Sequence, residues 1–75
     1  MLEMRPDCES CGRDLPADKG GALICSFECT FCASCNEEKH QGTCPNCGGE
    51  LVARPTRSAE LLKKFPASTE RKFRQ

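Results

Sequence analysis

The chain contains no tryptophan and no tyrosine, and only four phenylalanines among its 75 residues. Just 37% of it is hydrophobic. So short a chain with so few large apolar side chains can build only a marginal core. Apolar packing alone cannot offset its conformational entropy of folding. No basic start followed by an apolar stretch opens the sequence, which runs Met1-Leu2-Glu3-Met4-Arg5-Pro6-Asp7. No secretory signal is therefore expected. No apolar run is long enough to cross a bilayer, so no membrane partner is expected. Histidine is scarce as well, His40 being the single one. A cysteine nucleophile would need a positioned base and a free thiolate. With one isolated histidine and scattered carboxylates, no active site is expected.

Cysteine, by contrast, is abundant, at eight residues. That density is typical of a stapled scaffold, held by disulfides or by metal. The expected compartment is the cytoplasm, where thiols stay reduced, and metal is favoured there. The spacing is Cys8-x2-Cys11, then thirteen residues, then Cys25-x3-Cys29-x2-Cys32-x2-Cys35, then eight residues, then Cys44-x2-Cys47. A C-x2-C turn directs two sulfurs at one point, and a tetrahedral zinc site takes two such pairs. Eight cysteines complete two four-cysteine sites with none left over, so two zinc ions are expected. A closed four-sulfur shell is structural rather than catalytic. Gly12 and Gly48 directly follow Cys11 and Cys47 and favour the tight turn of a zinc knuckle. Pro45 presets φ for the second such turn. His40 is expected to be a polar helix-end residue rather than a ligand. Metal binding would then supply the missing stability. Structural zinc sites give apparent energies of about 10–16 kcal/mol each, against roughly 5–15 kcal/mol for whole domains.

The order of these cysteines resembles the RING finger and its relatives, in a form where cysteine replaces the usual histidine. Cys29-Thr30-Phe31-Cys32-Ala33-Ser34-Cys35 is similar to the RING stretch in which a ligand, a spacer and Phe precede a C-x2-C pair. Cys44-Pro45-Asn46-Cys47 is similar to its closing pair. The resemblance covers residues 8–47 and implies a small metal-stabilised α+β fold, RING-like or treble-clef. It also implies a cross-brace, with Cys8, Cys11, Cys32 and Cys35 on one zinc and Cys25, Cys29, Cys44 and Cys47 on the other. Spacing alone leaves a nested arrangement open, with Cys25, Cys29, Cys32 and Cys35 on one ion and the outer pairs on the second. RING ubiquitin ligases typically carry an aliphatic residue after the first cysteine, a Trp in the helical region and a basic residue after the last cysteine. Here Glu9 and Gly48 stand at those ends and no Trp exists; Pro45 alone matches. Cys25-x3-Cys29-x2-Cys32 also has the spacing of the iron–sulfur motif of radical enzymes, whose large barrel this chain cannot provide. The chain further resembles a family of short bacterial proteins known only as a domain of unknown function, through Leu15-Pro16 and the stretch from Cys44 to Leu51.

The expected secondary structure is brief. Ala22–Ile24 should pair with Thr30-Phe31 as a hairpin. Asn36 should cap one or two helical turns to His40, closed by Gly42, and the helix N-terminus should favour the Cys35 thiolate. Residues 50–54 should form a short strand. Ser58 should cap a helix over residues 59–65 that Pro66 stops, with Leu61, Leu62 and Phe65 on one face against the head. A further helical turn is expected from Ser68 or Thr69. Leu15, Leu23, Ile24, Phe27, Phe31, Leu51 and Val52 are the expected core.

Two parts are expected, a binuclear zinc-binding domain over residues 1–54 and a basic, partly helical tail over 55–75. Residues 1–50 hold nine acidic and four basic groups, and residues 51–75 hold two acidic and seven basic, so the halves carry −5 and +5. Such asymmetry marks either an anionic partner or a tail folded onto its own head. The leading expectation is a protein-interaction or adaptor module with an unidentified protein partner. The alternative is a nucleic-acid-binding protein using residues 54–75, where Lys63-Lys64-Phe65 and Arg71-Lys72-Phe73-Arg74 interleave basic and aromatic groups. Ubiquitin-ligase-like activity comes third.

Overall fold

The computed structural model describes residues 2–71. Its sheet has three antiparallel strands, β1 (Ala22–Ile24), β2 (Thr30–Cys32) and β3 (Val52–Ala53), in the order β2-β1-β3. Register is fixed by Leu23 opposite Phe31 on one side and Ala53 on the other. The hairpin linking β1 to β2 turns through Glu28, whose left-handed φ of 63° lets its N–H reach the Cys25 carbonyl at 2.9 Å.

A helical turn, α1 (Ala33–Cys35), follows β2 without a break and widens into a π-helical turn over Asn36–His40. Asn36 does not cap this helix as expected; it lies inside the run at φ −61°, ψ −47°. The cap is Cys32, in extended conformation, whose sulfur accepts the Cys35 N–H. The Asn36 side chain closes the far end instead, accepting the Gly42 N–H at 2.7 Å. The helix α2 (Ala59–Lys64) starts at Ser58 as expected, the hydroxyl accepting the Leu61 N–H. Residues 68–71 are not helical; the Ser68 hydroxyl accepts the Glu70 N–H and forms a local turn instead.

A turn of one build occurs twice. In the first, Gly12 N–H donates to the Cys8 carbonyl at 2.8 Å, Cys8 N–H to the Arg13 carbonyl at 2.9 Å, and Asp7 pairs with Asp14. In the second, Gly48 N–H donates to the Cys44 carbonyl at 2.9 Å, Cys44 N–H to the Gly49 carbonyl at 2.8 Å, and Thr43 pairs with Glu50. Gly12 and Gly48 share a left-handed backbone, with φ of 78° and 77°. The first turn also covers the outer edge of the sheet. Glu9 N–H donates to the Thr30 carbonyl at 2.9 Å, and Thr30 N–H donates to the Glu9 carboxylate at 2.8 Å. All three residues of β2 are thereby buried, and its edge is closed to other strands.

The core cluster holds ten buried residues, of which six are cysteines; Leu15, Phe31 and Leu51 are its large side chains. Phe27 and Val52 were expected in it but are 73% and 49% exposed. Phe27 sits in the β1–β2 turn, and Val52 sits on the two-residue strand β3, both of whose residues are exposed. Arg54 takes an interior place instead. It is buried, and its guanidinium donates to the carbonyls of Arg5 and Leu15, both at 2.8 Å, and of Pro16 at 3.4 Å. Burial lowers its pKa, yet a guanidinium keeps its charge at any ordinary pH. The tail crosses the head, but not by the expected apolar face, since Leu61 and Phe65 are half-exposed. Polar ties hold it. Arg57 N–H donates to the Ala17 carbonyl, its guanidinium donates to the Leu2 and Phe65 carbonyls, and Ser68 N–H donates to the Glu3 carbonyl.

Two stability effects are expected, each measured by thermal melting of the metal-loaded chain. Arg54→Met strands the buried carbonyls and costs at least about 2 kcal/mol; Arg54→Lys does not restore it, because one ammonium cannot span the three acceptors. Gly48→Ala meets no atom within 4 Å, so only backbone strain opposes it. The cost is about 1–2 kcal/mol, and Gly48→Asn, which tolerates the left-handed region, costs less.

Candidate metal centre

Each paired cysteine is aimed by a local device. The two C-x2-C-Gly turns present Cys8 with Cys11 and Cys44 with Cys47. Cys32 ends β2 and caps α1, and Cys35 ends α1 one turn later. Cys25 and Cys29 bracket the β1–β2 turn, joined by a backbone hydrogen bond. Backbone N–H groups point at the sulfurs: Phe27 at Cys25 (3.3 Å), Gly49 at Cys47 (3.4 Å) and Cys35 at Cys32 (3.5 Å).

The structure interleaves these pairs. The sulfurs of Cys8, Cys11, Cys32 and Cys35 all lie within 4.8 Å of one another. Those of Cys25, Cys44 and Cys47 do the same. Cys29 lies across the hairpin turn from Cys25, its carbonyl accepting the Cys25 N–H, though its sulfur lies outside that mutual spacing. The nested grouping is not formed, because Cys32 and Cys35 sit with the first pair. No cysteine is in a disulfide, and only Cys11 and Cys47 are exposed. A tetrahedron with metal–sulfur bonds of about 2.3 Å has edges of about 3.8 Å. Cys11 Sγ and Cys32 Sγ stand 3.8 Å apart. The donor set and its spacing are those of two metal-binding groups.

The sulfurs within each group are not equivalent. Burial pushes the Cys32 thiol up, but the Cys35 N–H and the surrounding thiols outweigh it and bring the pKa to about 7. Cys25 behaves alike, with burial opposed by the Phe27 N–H and by the Cys47 thiol, and also falls to about 7. Burial, together with donation to Cys32, raises Cys35 far above the ordinary range. Burial and donation to Cys25 push Cys29 up to about 12. The helix start therefore favours a thiolate on Cys32, not on Cys35 as expected, because the Cys35 N–H, at the third position of α1, points back at the residue that caps it.

Around the sulfurs stand groups that spacing rules do not flag. The Glu9 carboxylate accepts from Thr30 N–H, from Arg5 Nη1 at 3.1 Å and from Asn46 Nδ2 at 3.3 Å. Glu9 and Asn46 thus bridge the two C-x2-C turns. Their only signal in the sequence is position, each lying between the paired cysteines of its turn. His40 is in neither group. Its Nε2 is 2.8 Å from Ser10 Oγ, and its ring stands edge-on to Phe31 with centroids 4.7 Å apart. Among the described residues, no helix is long and apolar enough to cross a membrane.

Comparison with known proteins agrees with a cysteine-rich unit of unassigned role. An uncharacterized protein of Rhizobium meliloti (strain 1021) is 69% identical over 71 residues, covering 95% of this chain and 84% of the relative. No solved structure matches. The model of a family described as proteins of unknown function, DUF1272, matches residues 1–57, which include all eight cysteines, and the chain belongs to that family.

Proposed function

We propose that the protein is a structural zinc module that acts as a small protein-interaction adaptor in the cytoplasm. One zinc would be held by Cys8, Cys11, Cys32 and Cys35, and the other by Cys25, Cys29, Cys44 and Cys47. The observation that carries this reading is the interleaved grouping, which gathers seven of the eight cysteines, with Cys29 directly before β2 on the same hairpin turn as Cys25, and gives Cys11 and Cys32 the sulfur spacing of a tetrahedral shell. Interleaving is also the feature a RING-like cross-brace requires. Zinc suits an all-thiolate shell, and a closed shell supplies rigidity rather than chemistry. Seven thiols lie in the two groups and His40 is engaged by Ser10 and Phe31, so among the described residues His40 is not placed as a base for a cysteine nucleophile.

The tail supports an adaptor better than a nucleic-acid binder. Arg54, Arg57 and Arg71 spend their guanidinium groups on carbonyls and carboxylates of the head. Ligase-like activity lacks support at the first turn, where Glu9 is a hydrogen-bonded carboxylate and not an exposed aliphatic contact. Exposed Phe27, Val52, Leu61 and Phe65 offer apolar contact points for a protein.

Native mass spectrometry of the reduced protein should count two zinc ions. A strong chelator should remove them and most folded structure with them, because ligation and folding are coupled. Cys32→Ser and Cys44→Ser should each lose zinc and cooperative melting, whereas His40→Ala should keep both ions. A reduced chain that melts cooperatively without metal, or two Cys→Ser variants with native zinc content, would overturn the assignment.

A further inference from the structure

The outer face of the first cysteine turn already holds a guanidinium. Arg71 Nη1 lies 2.8 Å from Asp14 Oδ1, Nη2 donates to the Gly12 carbonyl at 2.8 Å, and Nε faces Asp7 Oδ2 at 3.8 Å. Three acceptors from one turn thus surround one planar cation. Their placement is set by the turn itself: Asp7 and Asp14 pair across its base, and Gly12 is its left-handed corner. Asp7 is wholly buried and Asp14 is 78% exposed, so one wall is fixed and the other open. The second turn has the same backbone but carries Thr43 and Glu50 at the matching places, with one carboxylate instead of two. The shape is common to both turns, and the arginine-selective chemistry belongs to the first.

We propose that this face is a docking site for an arginine-bearing peptide of a partner protein, and that Arg71 occupies it in the free chain. The site deepens the adaptor reading and rests on it. The occupant is an arginine because the acceptors form a fork that a guanidinium matches and an ammonium does not. The peptide is basic and extended because residues 1–50 around the site carry −5 and Arg71 arrives on a non-helical segment. Arg71 is half-exposed, and an exposed ion pair of this kind is worth only about 0–1 kcal/mol. It can therefore be displaced. A tether of this length holds it at an effective concentration on the order of millimolar.

The test uses a fluorescent peptide of residues 66–75 added to the full chain and to Arg71→Gln, with zinc content measured on the same samples. The peptide should bind Arg71→Gln about two- to sixfold more tightly than the parent, since the competing tether, worth about 0–1 kcal/mol, is gone. Asp14→Asn in that background should abolish binding, added salt should weaken it, and a peptide with lysine at position 71 should bind poorly. An Arg71→Gln chain that keeps two zinc ions yet fails to bind the peptide, or binds it equally well with Asp14→Asn, overturns the docking site alone. Absence of zinc from the parent chain overturns the zinc reading instead, whatever the peptide does.

Discussion

Eight thiols, six of them buried, have to be satisfied in a 75-residue chain, and the other features of the structure follow from that constraint. Six of the ten core residues are cysteines, so most of what would be hydrocarbon in a larger domain is sulfur here. The strands are two or three residues long and α1 is a single turn. Elements of that size are not stable alone. β1, β2 and α1 each end on or beside a cysteine whose partners come from elsewhere in the chain: Cys25 follows β1, Cys32 closes β2, and Cys35 closes α1. Interleaving makes the two groups interdependent. The first joins the chain's start to the β2–α1 junction, and the second joins the hairpin turn to the last cysteine turn. Neither can assemble without bringing the other's ligands close.

Polar side chains do the work that apolar packing would do in a larger domain. Glu9 closes the edge of β2 and links the two turns, and Arg54 gathers three carbonyls from the N-terminal segment and the 15–16 stretch. No buried side-chain nitrogen or oxygen lacks a partner among the described residues. Complete satisfaction is what makes such a polar interior tolerable, since each unpaired group would cost about 1–3 kcal/mol.

The hairpin and the α2 helix with its Ser58 cap were legible in the sequence, because they depend on local hydrogen bonds that residue types encode directly. The gathering of Cys8 and Cys11 with Cys32 and Cys35 was not legible in spacing, which left the nested arrangement open; it followed only from the RING resemblance. The misplaced features depended on tertiary geometry. Phe27 and Val52 look like core by type, but a turn and a two-residue strand on the rim of a small sheet have no second layer to bury them. Asn36 looks like a cap, but Cys32 stands one turn earlier with its sulfur already facing the free N–H. The role of Arg54 could not be read from charge, because nothing in a sequence separates a solvated arginine from one enclosed by carbonyls. The C-x2-C-Gly turns are a repeat too short for periodicity to reveal, and their equivalence emerges only from matching hydrogen bonds and φ values.

The opposed charges of head and tail find their explanation in which cations are used. Arg54, Arg57 and Arg71 each reach backbone carbonyls, and two of them tie the tail to segments before residue 15. Lys63 and Lys64 stay exposed on α2. A guanidinium can serve several acceptors in one plane, and it gives up its water more readily than an ammonium does. Residues that must cross from tail to head are therefore arginines, and residues that only keep a helix face solvated are lysines. A tail evolved to grip phosphates would hold its arginines outward. Among the described residues this tail turns Arg57 and Arg71 toward carbonyls and carboxylates of the head, so their charge acts as a tether, and the half-exposed Arg71 is the place where the proposed partner's arginine would take over.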